Sequence, residues 1–153
     1  MPYASKYLPT AMPISVPKEL QDLGDIVRTN GATYTLVGPA SYKVGKIDLS
    51  NSARLLVDNT AGPVTLYVTR YARTTNTAQI TTTDTNPEHF ALYMVNGGDV
   101  VLTNAGTFYG VVYGPQSVID FTNGGQFNGA FVGKSVTLNN GAQVHYDTAL
   151  RGE

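Results

Sequence analysis

Gly106-Thr-Phe-Tyr-Gly-Val-Val-Tyr-Gly-Pro115 is answered by Gly125-Gln-Phe-Asn-Gly-Ala-Phe-Val-Gly-Lys134, and a shorter return follows at Gln143-Val-His-Tyr146. With Leu102, Phe121 and Leu138 placed in one column, the steps are 19 and 17 residues. The same steps superpose Val100/Ile119/Val136, Thr107/Gln126/Gln143 and Phe108/Phe127/Val144. Repeats this short leave no room for a helix, a strand and their turns, but they fit one coil of a solenoid made of short strands.

Within each repeat, apolar and polar positions alternate. Val100, Leu102, Ile119, Phe121, Val136 and Leu138 are separated by Val101, Asp120 and Thr137, so one set points inward and the other outward. Phe108, Phe127 and Val144 form a second inward column beside an outward Tyr109, Asn128 and His145. Gly110-Val-Val-Tyr113 and Gly129-Ala-Phe-Val132 supply a third side. The predicted fold is all-β: a narrow parallel β-helix with three short strands per rung of about 17–19 residues, right-handed because parallel crossovers take that hand.

Corners carry their own chemistry. Asn104, Asn123 and Asn140 fall in register, and stacked asparagines tolerate left-handed geometry while bonding amide to amide. Gly110, Gly129, Gly114 and Gly133 are read as sites of tight turning or close backbone approach. Upstream, Lys46–Leu49, Ala53–Val57, Pro63–Val68 and Phe90–Val95 read as strands of less regular coils. The Thr-rich run 74–89 reads as a surface loop, and residues 1–30, with four prolines, as an irregular lead-in or cap containing one helical turn near Pro17–Leu23. Residues 31–153 then form one solenoid domain.

Composition limits the function classes. A 42% apolar chain of 153 residues can bury one core. The net charge of −1 gives no reason to expect nucleic acid, although Arg28, Lys43, Lys46, Arg54, Arg70 and Arg73 were they clustered would form a basic patch. There is no cysteine, no stretch apolar enough to span a membrane and no secretion signal in the stretch given. His89 and His145 have no metal-ligand spacing, and no cofactor motif is present. His145 precedes Asp147, but Ser117 and Ser135 lie near a different corner, so no nucleophile completes a triad.

A polysaccharide hydrolase or lyase is the enzymatic alternative; it requires two of Asp84, Glu88, Asp99 and Asp120 to converge in a groove. Ten tyrosines favour binding instead. Tyr109, with Asn128 and His145, is the expected outward surface, while Tyr67, Tyr93 and Tyr113 are expected to pack against the interior or the insertion.

The repeat pair quoted above, the continuation Ser135-Val-Thr-Leu138, the closing Val144-His-Tyr-Asp147 and the upstream Gly62-Pro-Val-Thr-Leu-Tyr-Val68 resemble the C-terminal β-solenoid domain of bacterial surface proteins linked to type IV pili. The resemblance implies a non-catalytic structural or adhesive module, extracellular or in the cell envelope. It also implies partners among surface glycans, proteins or other envelope and pilus subunits, with end-to-end association through the solenoid ends.

Overall fold

The computed structural model describes residues 17, 20–103 and 106–146. In chain order the strands are β1 (Gln21–Asp22), β2 (Ile26–Arg28), β3 (Thr33–Val37), β4 (Ala40–Val44), β5 (Ile47–Leu49), β6 (Arg54–Asp58), β7 (Val64–Val68), β8 (Ala72–Thr74), β9 (Gln79–Thr82), β10 (Phe90–Met94), β11 (Val100–Leu102), β12 (Thr107–Phe121), β13 (Gln126–Leu138) and β14 (Gln143–Tyr146). One 3₁₀ turn, Pro87–His89, lies between β9 and β10.

Every pairing between these strands is parallel, and the chain visits three ladders in cyclic order. The first runs β1–β4–β7–β10 and continues through Val111–Tyr113 of β12 into β13. The second runs β2–β5–β8–β11 and continues through Ile119–Phe121. The third comprises β3–β6–β9, followed after a break by Thr107–Gly110, Gln126–Gly129 and β14. The fold is therefore an all-β parallel β-solenoid. The columns read from sequence hold where they can be followed: Val100 opposes Ile119 and Ile119 opposes Val136, while Phe108 opposes Phe127 and Phe127 opposes Val144.

Inward residues stack into one core. Ile26, Ile47, Ala72, Val100 and Ile119 line one column, and Leu66, Leu92 and Val112 another, all fully buried. All five phenylalanines join a single inner cluster: Phe90 contacts Phe108, Phe108 contacts Phe127 and Phe131, and Phe121 stacks on Phe127 with ring centroids 4.1 Å apart. Stacked aromatic pairs add to the stabilisation from buried area. At the far end of the described solenoid the same inward columns open to solvent, with Val136 42% and Leu138 47% exposed above a fully buried Ile119 and Phe121.

One corner is built the same way in four of the described coils. Thr29-Asn-Gly-Ala32, Ser50-Asn-Ser-Ala53, Thr75-Asn-Thr-Ala78 and Asn139-Asn-Gly-Ala142 each close with the N–H of the fourth residue donating to the carbonyl of the first. Both central residues have positive φ, as do Asn123 and Gly124. This is the type I′ geometry, in which Asn is favoured at the first central position. The asparagine ladder exists here: Asn76 Nδ2 donates to Asn51 Oδ1 at 3.1 Å and Asn140 Nδ2 to Asn123 Oδ1 at 3.4 Å. Asn104, expected between them, lies outside the described residues.

The four repeat glycines serve close approach more than turning. Gly129 alone of them has positive φ, +152°, and a Cβ there would fall on the Gly110 carbonyl. At Gly110 a Cβ would press on the Phe90 ring at 2.9 Å, at Gly114 on Met94 Cβ at 2.8 Å, and at Gly133 on Ile119 Cδ1 at 2.9 Å. Volume is what excludes a side chain at those three positions.

Three boundaries differ from expectation. The loop expected over 74–89 is narrower, because Gln79–Thr82 pairs with β6; threonine alternation here is strand, not loop. The first coil begins before residue 31, since β1 and β2 pair with β4 and β5. Gln21–Asp22 is strand and not the end of a helical turn. Of the rest of the expected lead-in, residues 1–16 and 18–19 lie outside those described, as do residues 147–153 at the other end.

Candidate functional site

A parallel sheet one coil wide presents a flat outer face in which equivalent side chains stack at strand spacing. On the first ladder, register brings Lys43, Tyr67, Tyr93, Tyr113 and Val132 into one outward column. The tyrosine rings form a continuous ladder, with centroids 5.3 Å apart between Tyr67 and Tyr93 and 6.0 Å between Tyr93 and Tyr113. The neighbouring outward column is Ser41, Thr65, Ala91, Val111 and Ala130, whose short side chains leave one flank of the rings open. Packing of Tyr93 between its two neighbours removes water from its hydroxyl. That desolvation, reinforced by Tyr67 and Tyr113, raises its pKa.

This corrects the expectation that these three tyrosines turn inward or cover an insertion. In Val64–Val68 and Phe90–Met94 the inward places are taken by Val64, Leu66, Val68, Phe90, Leu92 and Met94, so strand periodicity sends Tyr67 and Tyr93 out. The signal was the shared fourth position of Val-Thr-Leu-Tyr-Val and Phe-Ala-Leu-Tyr-Met, each one residue past an inward Leu.

Tyr109, Asn128 and His145 align on the third ladder. His145 Nε2 lies 2.8 Å from Gln126 Oε1, and Asn128 Nδ2 donates to the Phe108 carbonyl at 3.5 Å, so two of the three polar heads are turned to neighbours in the solenoid. Ser117 is fully buried and remote from His145 in register, and Asp147 lies outside the described residues.

The four acids fall in two places: Asp84 and Glu88 share one segment, and Asp99, just before β11, lies diagonally from Asp120 on the adjacent coil. Asp120 faces outward between Val101 and Thr137 and accepts from Asn139 Nδ2 at 2.8 Å. Asp99 precedes β11, whereas Asp84 and Glu88 belong to the segment after β9. Among the described residues no three His, Cys, Asp or Glu side chains gather as a metal site would need. Of the basic residues, Lys46, Arg70 and Arg73 gather around Tyr71, where Asp25 and Asp48 pair with the two arginines, while Lys43 and Arg54 lie on the other two ladders.

The segment 83–89 is stapled to the solenoid by fully buried Asn59. Its Nδ2 donates to the His89 carbonyl at 3.0 Å, and its Oδ1 accepts from the Asp84 N–H at 2.9 Å. Asp84 accepts the Asn86 N–H at 2.7 Å and meets His89 Nδ1 at 2.6 Å. These contacts, the Asn86 N–H foremost, hold the Asp84 carboxyl below its ordinary value of 3.8. A depressed folded-state pKa contributes stability that is present above the ordinary value and is lost as pH falls through the depressed one. Protection of the Asn86 and His89 amides, that is exchange relative to the intrinsic rate at each pH, is therefore expected to fall below about pH 4, and Asp84→Asn is expected to abolish that fall. Protection that is flat with pH in the unsubstituted protein would contradict the assignment.

No curated protein and no solved structure matches this chain. A family model described as a domain of unknown function, DUF7305, matches residues 29–153, from the first asparagine corner to the last residue. The match spans most of the chain and all but the first strands of the solenoid, so this chain is a β-solenoid domain belonging to the DUF7305 family.

Proposed function

We propose that this domain is a non-catalytic adhesive module that binds surface glycan through the Tyr67–Tyr93–Tyr113 face. The observation that carries the reading is that ladder: three rings in succession on one outer face, Tyr67 and Tyr93 tilted by 32° and Tyr113 edge-on to Tyr93 at 75°, bordered by small side chains. Sugar rings have apolar C–H faces that stack on aromatic rings, and tyrosine supplies broad rigid area at little conformational cost while keeping a hydroxyl for hydrogen bonding. Stacked parallel coils hold the rings in place without ligand, so little ordering entropy is lost on binding.

In this reading the solenoid is a right-handed helix of three-sided coils, the hand favoured by parallel crossovers, and serves as a stiff spacer as well as a platform. Its setting is an exported bacterial surface or pilus-associated protein, a placing that rests on the resemblance of the repeat motifs. Tyr109, Asn128 and His145 form a secondary contact column on the adjoining side.

The test is adsorption of the purified chain to a panel of insoluble bacterial and host polysaccharides. Tyr93→Ala is expected to weaken adsorption at least about tenfold, the loss of one central aromatic anchor, while Tyr93→Phe retains most of it. Thermal unfolding of both variants should stay close to that of the unsubstituted protein, since the ring lies outside the core. Adsorption unaffected by Tyr93→Ala would remove the ladder as the binding face.

A further inference from the structure

The corner that follows the tyrosine face is hollow. Leaving β7 and β10, the chain crosses from the first ladder to the second through Thr69–Tyr71 and Val95–Asp99, and a cavity of about 420 Å³ opens there. Its walls include Arg70, Tyr71, Arg73, Gly97, Gly98 and Asp99. The two glycines give it its shape. Gly97 has φ +72°, and a Cβ on Gly98 would coincide with the Arg70 carbonyl, so only a glycine lets this segment lie flat on the preceding coil.

The polar groups of the cavity are held in place from outside. Arg70 Nη1 donates to Asp25 Oδ2 at 3.2 Å, and Arg73 Nη2 lies 3.7 Å from Asp48 Oδ2. The Tyr71 hydroxyl donates to the same Asp48 oxygen at 3.0 Å, and the Arg73 guanidinium lies over the Tyr71 ring at 4.7 Å. Each guanidinium has five N–H donors, so Arg70, with one on Asp25, and Arg73, in ion-pair contact with Asp48, keep others for a ligand. Asp99 is exposed, and its carboxylate has no ion pair or hydrogen bond among the described residues; its backbone carbonyl alone is engaged, by the Ala72 N–H.

We propose that this corner hollow binds a single ring of a neutral sugar, with Asp99 accepting two hydroxyl protons and the free edges of Arg70 and Arg73 donating to hydroxyl oxygens. A polyol needs donors and acceptors side by side, and this site supplies both. Its volume falls in the range of small-molecule pockets, about 300–1,000 Å³. The charges decide against an acidic sugar: Lys46, Arg70 and Arg73 are matched by Asp25, Asp48 and Asp99, so no net positive field draws a carboxylate or sulfate. The site rests on the glycan-binding reading and deepens it, because the hollow opens around the corner from the ladder in the same two coils that carry Tyr67 and Tyr93.

The experiment follows backbone amide NMR shifts of the full chain titrated with the methyl glycosides of glucose, galactose and mannose, and with methyl glucuronide. At least one neutral glycoside is expected to shift the Gly97 and Gly98 amides saturably, methyl glucuronide to bind no tighter, and Asp99→Asn to weaken the neutral glycoside at least tenfold. Absence of shifts at Gly97 and Gly98 with all three neutral glycosides, a tenfold preference for glucuronide, or unchanged affinity in Asp99→Asn would each overturn the proposal. If Tyr93-dependent adsorption to polysaccharide persists while the glycosides leave Gly97 and Gly98 unmoved, the hollow fails and the tyrosine face stands. Glycoside shifts without Tyr93-dependent adsorption remove the tyrosine face and keep the hollow; loss of both removes both.

Discussion

Gly129→Ala is expected to cost the protein about 2–6 kcal/mol of stability. Two costs add at this position. A φ of +152° is open to glycine and strained for alanine, at about 1–3 kcal/mol. The new Cβ would also fall on the carbonyl of Gly110 in the coil beneath, and the backbone shift needed to relieve that contact costs about another 1–3 kcal/mol. Together they remove a large share of the stability of an ordinary domain, about 5–15 kcal/mol. Gly124→Ala is the control: φ is +71°, but the nearest atom to its Cβ is the Asn140 carbonyl oxygen at 4.0 Å, so backbone strain alone remains, roughly 1 kcal/mol. Urea unfolding of the two variants separates them. Equal losses would mean that the coils at 110 and 129 do not touch as described.

Phe127→Ala comes next in size. The ring is fully buried, stacked on Phe121 at 4.1 Å and 6.2 Å from Phe108, so truncation removes contacts in two coils at once and leaves a cavity that stiff strands cannot close. A loss of about 3–5 kcal/mol is expected. Val144 occupies the same column one coil later, where it is half-buried, and Val144→Ala should cost about 1 kcal/mol. Were the two losses alike, the third-ladder register Phe108–Phe127–Val144 would be wrong.

That register was legible in sequence because the later coils differ by only two residues in length, so inward Phe108 and Phe127 return almost in phase. The earlier coils were not, although they carry the same punctuation. Thr29-Asn-Gly-Ala32, Ser50-Asn-Ser-Ala53 and Thr75-Asn-Thr-Ala78 are the asparagine corner three times over, but they are spaced by 21 and 25 residues. The added residues fall at other corners, among them 59–63 and 83–89, where they disturb no ladder. A search for a fixed period loses such coils, whereas a search for the corner keeps them. Ser52 and Thr77 hide it further: each holds positive φ where glycine is usual. Likewise Gln79–Thr82 reads as a polar loop until Ile80 is seen under Leu55, fully buried.

The outward chemistry was less legible than the core. Tyr109, Asn128 and His145 share a column, as their repeat positions require, yet the closest aromatic succession lies one side away. Tyr67 and Tyr93 are 26 residues apart and Tyr93 and Tyr113 only 20, so their alignment follows from pairings in coils of unequal length. The corner hollow depends on the same inequality, since Asn96-Gly-Gly-Asp99 has no counterpart of equal length in the coils on either side.

The most direct test of the adhesive account is to incubate the purified domain with the polysaccharide panel and measure bound protein and released reducing ends in the same tubes. The account predicts saturable adsorption that Tyr93→Ala weakens at least about tenfold, with no sugar released. Release of new reducing ends that is lost in Asp84→Asn, Asp99→Asn or Asp120→Asn would contradict it and make the domain an enzyme.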